Sequence, residues 1–290
     1  KLANKTALLR RLGCHVKGFD TPTARLVSGT MCDAISIESS EIWQMGSEQP
    51  AIEAQLNVVS RGILGAEYST AMAGVRHELG VVSQRLRAAA AALKFRNNVL
   101  SLDGERHLVK RVYVGLRDER GRVGAGVVRN GVRGYLEPLA EAANWGAAVL
   151  GKDAVKSKAK QYVLAEQRRD LDFALRDRST LALYATVASK GRSGLPEYLK
   201  RVCPSGLRPG RRLKTRFRLG AHPLRASSAR MVRRDRRAAA SRCECCNAGV
   251  EETIRHAMFQ CRAHDGIRTT IAERAEEAYP EFCNLSQDAR

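Results

Sequence analysis

Apolar residues recur along this chain mostly with the period of an α-helix. The clearest stripe has four aliphatic members: Ile52, Leu56, Val59 and Ile63. Their spacing of four, three and four residues places them on one helical face, and Gly65 predicts the end of that helix. Since similar patterns cover most of the chain, the sequence predicts a mainly α-helical protein.

Start and stop residues add detail to the helical pattern. Thr21 is placed to cap a helix with Pro22 as its first residue, and Ser69 or Thr70 to cap one that ends before Gly80. The helix with the apolar stripe is Ala51–Leu64, and the other predicted helices are Leu2–Leu12, Ala24–Ile37, Val81–Phe95, Leu136–Trp145, Asp153–Arg178, Thr180–Ala188, Pro196–Leu199 and Ile267–Tyr279. For Ala24–Ile37 a strand is the alternative.

Charge narrows the class of partner. The chain has 50 Lys and Arg against 30 Asp and Glu, a formal net charge of +20. Residues 201–242, here called the basic segment, hold fourteen basic residues and one acidic residue, Asp235. Such a surplus favours a polyanionic partner, nucleic acid before membrane. The predicted phosphate contacts are Arg211, Arg212, Lys214, Arg216, Arg218, Arg233, Arg234, Arg236 and Arg237.

Potential metal ligands follow directly after the basic segment. Cys243, Cys246, His256 and Cys261 have the spacing C-x2-C-x9-H-x4-C. Three thiolates and one imidazole complete a tetrahedral shell, so we predict a structural Zn²⁺ site without an open position for a catalytic water. Cys245 could replace Cys246, although the two-residue gap favours Cys246. The alternative is a set of buried, unliganded residues, since free Cys packs like a small hydrophobe.

Several other classes of protein are not expected. No apolar run approaches the roughly 18–20 residues that cross a bilayer, so we predict no membrane span. Eight cysteines without a secretory leader pattern indicate a reducing compartment and metal binding rather than disulfides. The Gly-rich stretch 117–133 lacks the Gly-Lys-Ser/Thr of a P-loop and is predicted to be a linker. Because the chain begins with Lys1, we expect a segment of a longer polypeptide.

Three stretches carry motifs in a characteristic order: Ser39–Gly80, then Phe217–Leu224 (FRLGAHPL), then the Cys/His residues with Glu252 and Thr253 ahead of His256. In the first stretch the motif positions are Trp43, Arg61 to Gly65, Thr70 and Glu78 to Gly80. Together they resemble the thumb, the segment upstream of the zinc knuckle, and the knuckle itself of non-LTR (LINE-type) retrotransposon reverse transcriptases. The resemblance covers most of the chain.

The resemblance implies a domain layout. A helical thumb-like domain would occupy 1–116, the Gly/Arg-rich linker 117–133 and a helical connector 134–200. The arginine-rich segment 201–242 and a small CCHC zinc knuckle with a C-terminal helix, 243–290, would follow. The expected fold class is therefore mainly α, ending in a small zinc-binding module.

The resemblance also implies a function. The chain would hold template RNA or target DNA during target-primed reverse transcription in the nucleus, where Arg230–Arg237 could serve as an import signal. The family's polymerase site needs an Asp-Asp pair to hold two Mg²⁺ ions, and this sequence has none. We therefore expect no catalysis here and place the active site in upstream polymerase domains of the same polypeptide. The alternatives are a zinc-containing helical protein-interaction adaptor or a decayed retroelement fragment.

Overall fold

A computed structural model describes residues 2–12, 14, 18–33, 49–103, 106–111, 132–146, 148–177, 181–188, 194–221, 224, 236–246 and 248–278. Helices dominate these residues, and the extended pairing found among them is one antiparallel bridge between Arg242 and Glu251. The predicted mainly α-helical fold is therefore confirmed.

The chain divides into two compact units, Lys1–Gly220 and Ala221–Arg290. The described α-helices of the first unit are α1 (Leu2–Arg11), α2 (Thr21–Ser28), α3 (Gln49–Leu64), α4 (Met72–Leu79), α5 (Gln84–Ser101), α6 (Val132–Ala142), α7 (Lys152–Asp177), α8 (Ala182–Val187), α9 (Glu197–Lys200) and α10 (Arg208–Arg218). Those of the second are α11 (Arg237–Ala240) and α12 (Asp265–Ala278). The boundary between the units lies inside the basic segment, so α10 belongs to the first unit.

The main core of the first unit forms around α3 and α4. Val59 and Ile63, from the predicted apolar stripe, are buried, and Val75 and Leu79 of α4 pack in the same cluster. Gly80 ends α4 with a left-handed backbone (φ 62°), as its type predicts, because glycine carries no Cβ to strain that conformation. The short loop after α4 leads the chain directly into α5.

The predicted capping residues are wrong at two helices. Asp20, not Thr21, caps α2: its carboxylate accepts a hydrogen bond from a first-turn N–H at 3.2 Å. A carboxylate at this position also interacts favourably with the helix dipole. The N-cap of α4 is Ala71, which provides no side-chain hydrogen bond, so neither Ser69 nor Thr70 caps that helix.

A second set of buried residues joins α5 to α6 and α7. Leu93 of α5, Trp145 and Val155 lie in one apolar cluster. Arg96 on the same helix is almost fully buried and pairs with Glu137 of α6 at 3.0 Å. These contacts join α5 to both α6 and α7.

Some predictions concern residues outside the part of the chain that the structure describes. Among these residues are Trp43, residues 34–37 of the predicted helix Ala24–Ile37, most of the linker 117–133, and residues 230–235 of the basic segment, which include Arg233 and Arg234. Across the described residues, no helix combines the length and apolar composition that a bilayer span requires.

Candidate metal centre

A short hairpin carries the first two cysteines of the predicted site. The Cys243 N–H donates to the Val250 carbonyl at 2.8 Å, and the Glu252 N–H donates to the Ser241 carbonyl at 2.8 Å. Gly249 has a positive φ of 70°, which lets the chain turn back. Cys246 therefore lies on the loop of this hairpin, within reach of Cys243.

A wide helical turn carries the other two ligands. The His256 N–H donates to the Thr253 hydroxyl at 3.1 Å, so Thr253 holds the start of the turn. The Cys261 N–H then donates to the His256 carbonyl at 2.7 Å, the i to i−5 bond of a π-helix over His256–Gln260. One such turn returns Cys261 to the side of the helix that carries His256.

The four predicted ligands form one cluster. The Cys243 and Cys261 sulfur atoms are 3.9 Å apart, the Cys246 sulfur is 3.4 Å from His256 Nε2, and all four ligand atoms lie within 4.8 Å of one another. Around one tetrahedral Zn²⁺, bond lengths of about 2.3 Å to sulfur and 2.0–2.1 Å to nitrogen imply about 3.8 Å between sulfurs and about 3.6 Å from sulfur to nitrogen. The cluster could therefore hold a metal ion.

The protonation of the thiols favours a cation at this position. Burial raises the pKa of Cys243, but backbone N–H groups of Cys246 and Cys245 and the His256 ring outweigh it and bring the pKa down to about 7. For Cys261, burial and the neighbouring Cys243 and Cys246 sulfurs raise the pKa to about 11. Three thiolates cannot all ionise side by side without a positive charge between them, which a bound metal ion supplies.

Cys245 lies outside the four-ligand cluster and is exposed to solvent. It forms a second group with Cys243 and the carboxylate of Glu252. Because that group shares Cys243 with the first and has only three members, the geometry favours Cys246 as the second ligand.

One residue that contacts the centre was missed in the sequence. Arg268 of α12 donates to the Cys261 carbonyl at 2.7 Å and pairs with Asp265. A second guanidinium nitrogen of Arg268 lies 3.4 Å from the Ala257 carbonyl. Arg268 thereby binds α12 to the turn that carries His256. An arginine seven residues after the last cysteine matches no ligand motif, so the sequence alone does not predict the contact of Arg268 with the Cys261 carbonyl.

Five of the predicted phosphate contacts lie on α10, and most of them have partners within the first unit. Arg216 pairs with Glu67 and Arg218 with Glu78. Lys214 lies 5.0 Å above the ring of Tyr198, an exposed cation on an aromatic face. The remaining two are Arg211, which donates to the Arg201 carbonyl at 2.8 Å, and Arg212, which is half-buried. Beyond α10, Arg236 is exposed and Arg237 begins α11; phosphate binding by all these residues stays a prediction.

The pair of Arg218 and Glu78 joins two of the sequence stretches noted above. Glu78 is fully buried and accepts hydrogen bonds from Tyr184 at 2.7 Å, from Tyr198, and from Arg218 at 2.9 Å. Tyr198 also lies 3.1 Å from the Thr215 hydroxyl. We refer to Glu78, Arg218, Tyr184, Tyr198 and Thr215 as the buried polar cluster. It fixes α10 to α4, although Glu78 and Arg218 are 140 residues apart in the sequence.

Comparison with protein-family models, with curated proteins and with solved structures finds no match for this chain. The resemblance to LINE-type reverse transcriptases therefore depends on the motifs in the sequence alone.

Proposed function

We propose that this chain is a nucleic-acid-binding segment of a LINE-type reverse transcriptase, with a structural zinc module next to a basic segment. It would hold template RNA or target DNA through the phosphate backbone and would have no polymerase site of its own. The observation that carries the proposal is the Cys/His cluster directly after a segment with fourteen basic residues.

Zinc is the proposed metal because of the chemistry of the ligand set. Three sulfurs and one imidazole at tetrahedral separations match the soft-ligand sites that select Zn²⁺ over hard cations such as Mg²⁺. All four coordination positions are provided by the protein, so the ion would stabilise the fold rather than activate water. Because the unfolded chain would not contain a preformed site, the free energy of metal binding would contribute directly to folding of the module.

Metal analysis of purified variants tests the ligand set. We expect one Zn²⁺ per chain in the native protein, its loss in Cys243→Ser and His256→Ala, and its retention in Cys245→Ser. The Cys245→Ser variant is the matched control, since this thiol lies in the same loop but outside the cluster. Full zinc content in Cys246→Ser would show that the proposed ligand set is wrong.

Binding to labelled RNA and DNA at several salt concentrations tests the partner. Each phosphate contact makes the slope of the logarithm of the binding constant against the logarithm of the salt concentration more negative by about 0.9 for duplex DNA. Replacing Arg211, Lys214 and Arg236 together by Gln should therefore make the slope shallower by about two to three. A native protein that binds neither RNA nor DNA at low salt would contradict the proposed function.

The link to a polymerase is tested in the genome. An open reading frame immediately upstream that encodes an aromatic-x-Asp-Asp motif would support a working parent enzyme, and a nuclear location would then follow from its reaction. Stop codons or frameshifts in that DNA would instead indicate a decayed element.

A second candidate function is a protein-interaction adaptor. The observation in its favour is a group of exposed apolar side chains near the metal cluster: Met258, Phe259, Ile267 and Ile271. Exposed apolar side chains that form one contiguous patch are typical of protein-binding surfaces. An affinity for RNA or duplex that does not change with salt concentration would favour the adaptor over the nucleic-acid binder.

A further inference from the structure

A groove with a volume of about 700 Å³ runs between α5 and α7, within the first unit. On each helix its lining residues recur at i, i+3, i+4, i+7, i+8 and i+11, beginning at Arg87 on α5 and at Lys156 on α7. This spacing is that of a single helical face. The groove is therefore formed by one face of each helix, and it extends for about 16 Å, or about three turns, along both.

The inner surface of the groove is mainly apolar. Ala90, Ala91 and Ala159 are among its lining residues, and their small side chains leave the space between the two helices open. The larger apolar lining residues are Val82, Phe95, Val163 and Leu164. Leu164 exposes 39% of its surface, and the other three are half-buried. A partner that covers these side chains would gain free energy, because it removes apolar area from water.

The charged side chains that line the groove are all cationic. Arg87 and Lys94 come from α5, and Lys156 and Lys160 come from α7, while no carboxylate is among the described lining residues. The three lysines are exposed. Lys156 pairs with the almost fully exposed Asp153 at 3.8 Å, and such an exposed pair contributes little to stability. Cations on both sides of an apolar surface are complementary to a partner that is both acidic and amphipathic.

The combination of apolar and cationic side chains distinguishes between long partners. A nucleic-acid backbone would pair with the cations, but its phosphates would leave Phe95, Val163 and Leu164 uncovered. An amphipathic helix can place large apolar residues against these side chains and acidic residues beside the lysines. The alanines favour such a helix, because packed helices lie about 8–10 Å apart and small residues allow the closer approach.

We propose that the groove between α5 and α7 docks an acidic amphipathic helix of another protein. About three turns of that helix would lie in the groove, with apolar residues at i, i+4 and i+7 over the alanines and Asp or Glu on both flanks. The inference goes beyond the proposed function and does not depend on it, since neither the basic segment nor the metal cluster lines this groove.

Binding of a designed peptide to the full chain tests the groove. The probe is a fluorescein-labelled peptide of about 18 residues, a length that can be helical in isolation, with leucines along one face and glutamates on both sides of them. The control peptide has the same composition in scrambled order, so it keeps the charge but lacks the apolar face. Fluorescence anisotropy measures the affinity of both peptides.

Two variants of the chain separate the apolar and the charged contributions. The apolar variant is Val163→Gln with Leu164→Gln, and its control is Phe173→Gln, an exposed aromatic residue of α7 outside the groove lining. The charge variant is Lys94→Gln, Lys156→Gln and Lys160→Gln, and its control is Lys152→Gln, Arg169→Gln and Arg176→Gln. Gln is a good helix former, so circular dichroism should show all four to be folded.

We expect the native chain to bind the amphipathic peptide and not the scrambled one. The apolar variant should weaken binding by at least about tenfold, and the charge variant by about three- to tenfold at low salt. Each control should stay within about twofold of the native affinity.

Four outcomes would overturn the proposal. The first is that the native chain binds neither peptide, or binds both equally. The second is native affinity in the apolar variant, since the attraction would then be electrostatic alone. The third is loss of duplex RNA or DNA binding in the apolar variant, because the groove would then belong to a nucleic-acid surface. The fourth is self-association of the native chain that both groove variants abolish in analytical ultracentrifugation, which would indicate a second copy as the occupant.

Discussion

A single carboxylate, Glu78, connects two distant parts of the first unit. Burial by itself would raise the pKa of Glu78, but hydrogen bonds from Tyr198 and Tyr184 and the charge of Arg218 outweigh it and lower the pKa below its ordinary value. The same contacts raise the pKa of Arg218, although burial works against this. The charged form of Glu78 is therefore the form that the fold stabilises.

Replacing Glu78 with Gln should strongly destabilise the first unit. Breaking a buried ion pair from one side leaves the other charge without compensation, at a cost of about 3–5 kcal/mol in the free energy of unfolding. The matched control is Glu67→Gln, because Glu67 is partly exposed and pairs with Arg216, which lies on α10 like Arg218. This substitution should lower the free energy of unfolding by less than about 1 kcal/mol. Urea unfolding measures both, and similar costs would contradict the structural part given to Glu78.

The lowered pKa of Glu78 also predicts a pH dependence. A carboxylate whose pKa is lower in the folded state contributes stability above its unfolded pKa, and that stability is lost as the pH falls through the folded value. The free energy of unfolding of the native protein should therefore begin to fall below about pH 5. The Glu78→Gln variant should lose this part of the acid sensitivity, and an unchanged acid profile in the variant would contradict the assignment.

At the scale of the element, periodicity predicts what depends on local pattern. Helix α3 was predicted within two residues because its stripe faces the core and a glycine follows it. Helix α10 is not among the predicted helices, because the basic segment contains prolines and glycines, Pro209 and Gly210 among them, which are unfavourable inside a helix. Pro209 lies in the first turn of α10, where its missing N–H costs no hydrogen bond. Contacts with α4 fix the position of α10, and no local sequence pattern predicts these contacts.

The candidate metal site shows the same division between local and distant information. Four ligands within twenty residues were predictable, because the spacing of metal ligands in such a module is a local property. The choice between Cys245 and Cys246 needed the direction of the hairpin loop, and Arg268 needed the position of α12. The buried polar cluster was out of reach, since its members come from four separate segments.

The turn after α4 yields an element-scale prediction. A Cβ on Gly80 would lie 2.3 Å from the Gly194 Cα, and the backbone of Gly80 has φ 62°. Gly80→Ala should therefore combine left-handed strain of about 1–2 kcal/mol with a backbone clash that adds to it. Gly146→Ala is the control, because its φ of 49° gives similar strain but no atom lies within 4 Å. A melting temperature equally lowered in both would exclude the clash.

At the scale of the whole molecule, the two compact units predict separate responses to metal removal. If the proposed Zn²⁺ holds the second unit, chelation should abolish the amide protection of Cys243 and Glu252, whose N–H groups pair across the hairpin. Amides of α3 and α5 should keep their protection. Hydrogen exchange followed by mass spectrometry measures both, and loss of protection in α3 would contradict independent units.

The wide turn over His256–Gln260 has a consequence for how such a module can vary. Five residues from the imidazole to the thiol require the i to i−5 bond seen here, whereas four residues would fit the 3.6-residue period of an ordinary α-turn. Loss of one codon between His256 and Cys261 would thus exchange one helical geometry for another and keep both groups on the same side. Gain of one codon would rotate the thiol about 100° away along a regular helix, so we expect loss of one residue from this spacer to disturb the site less than gain of one.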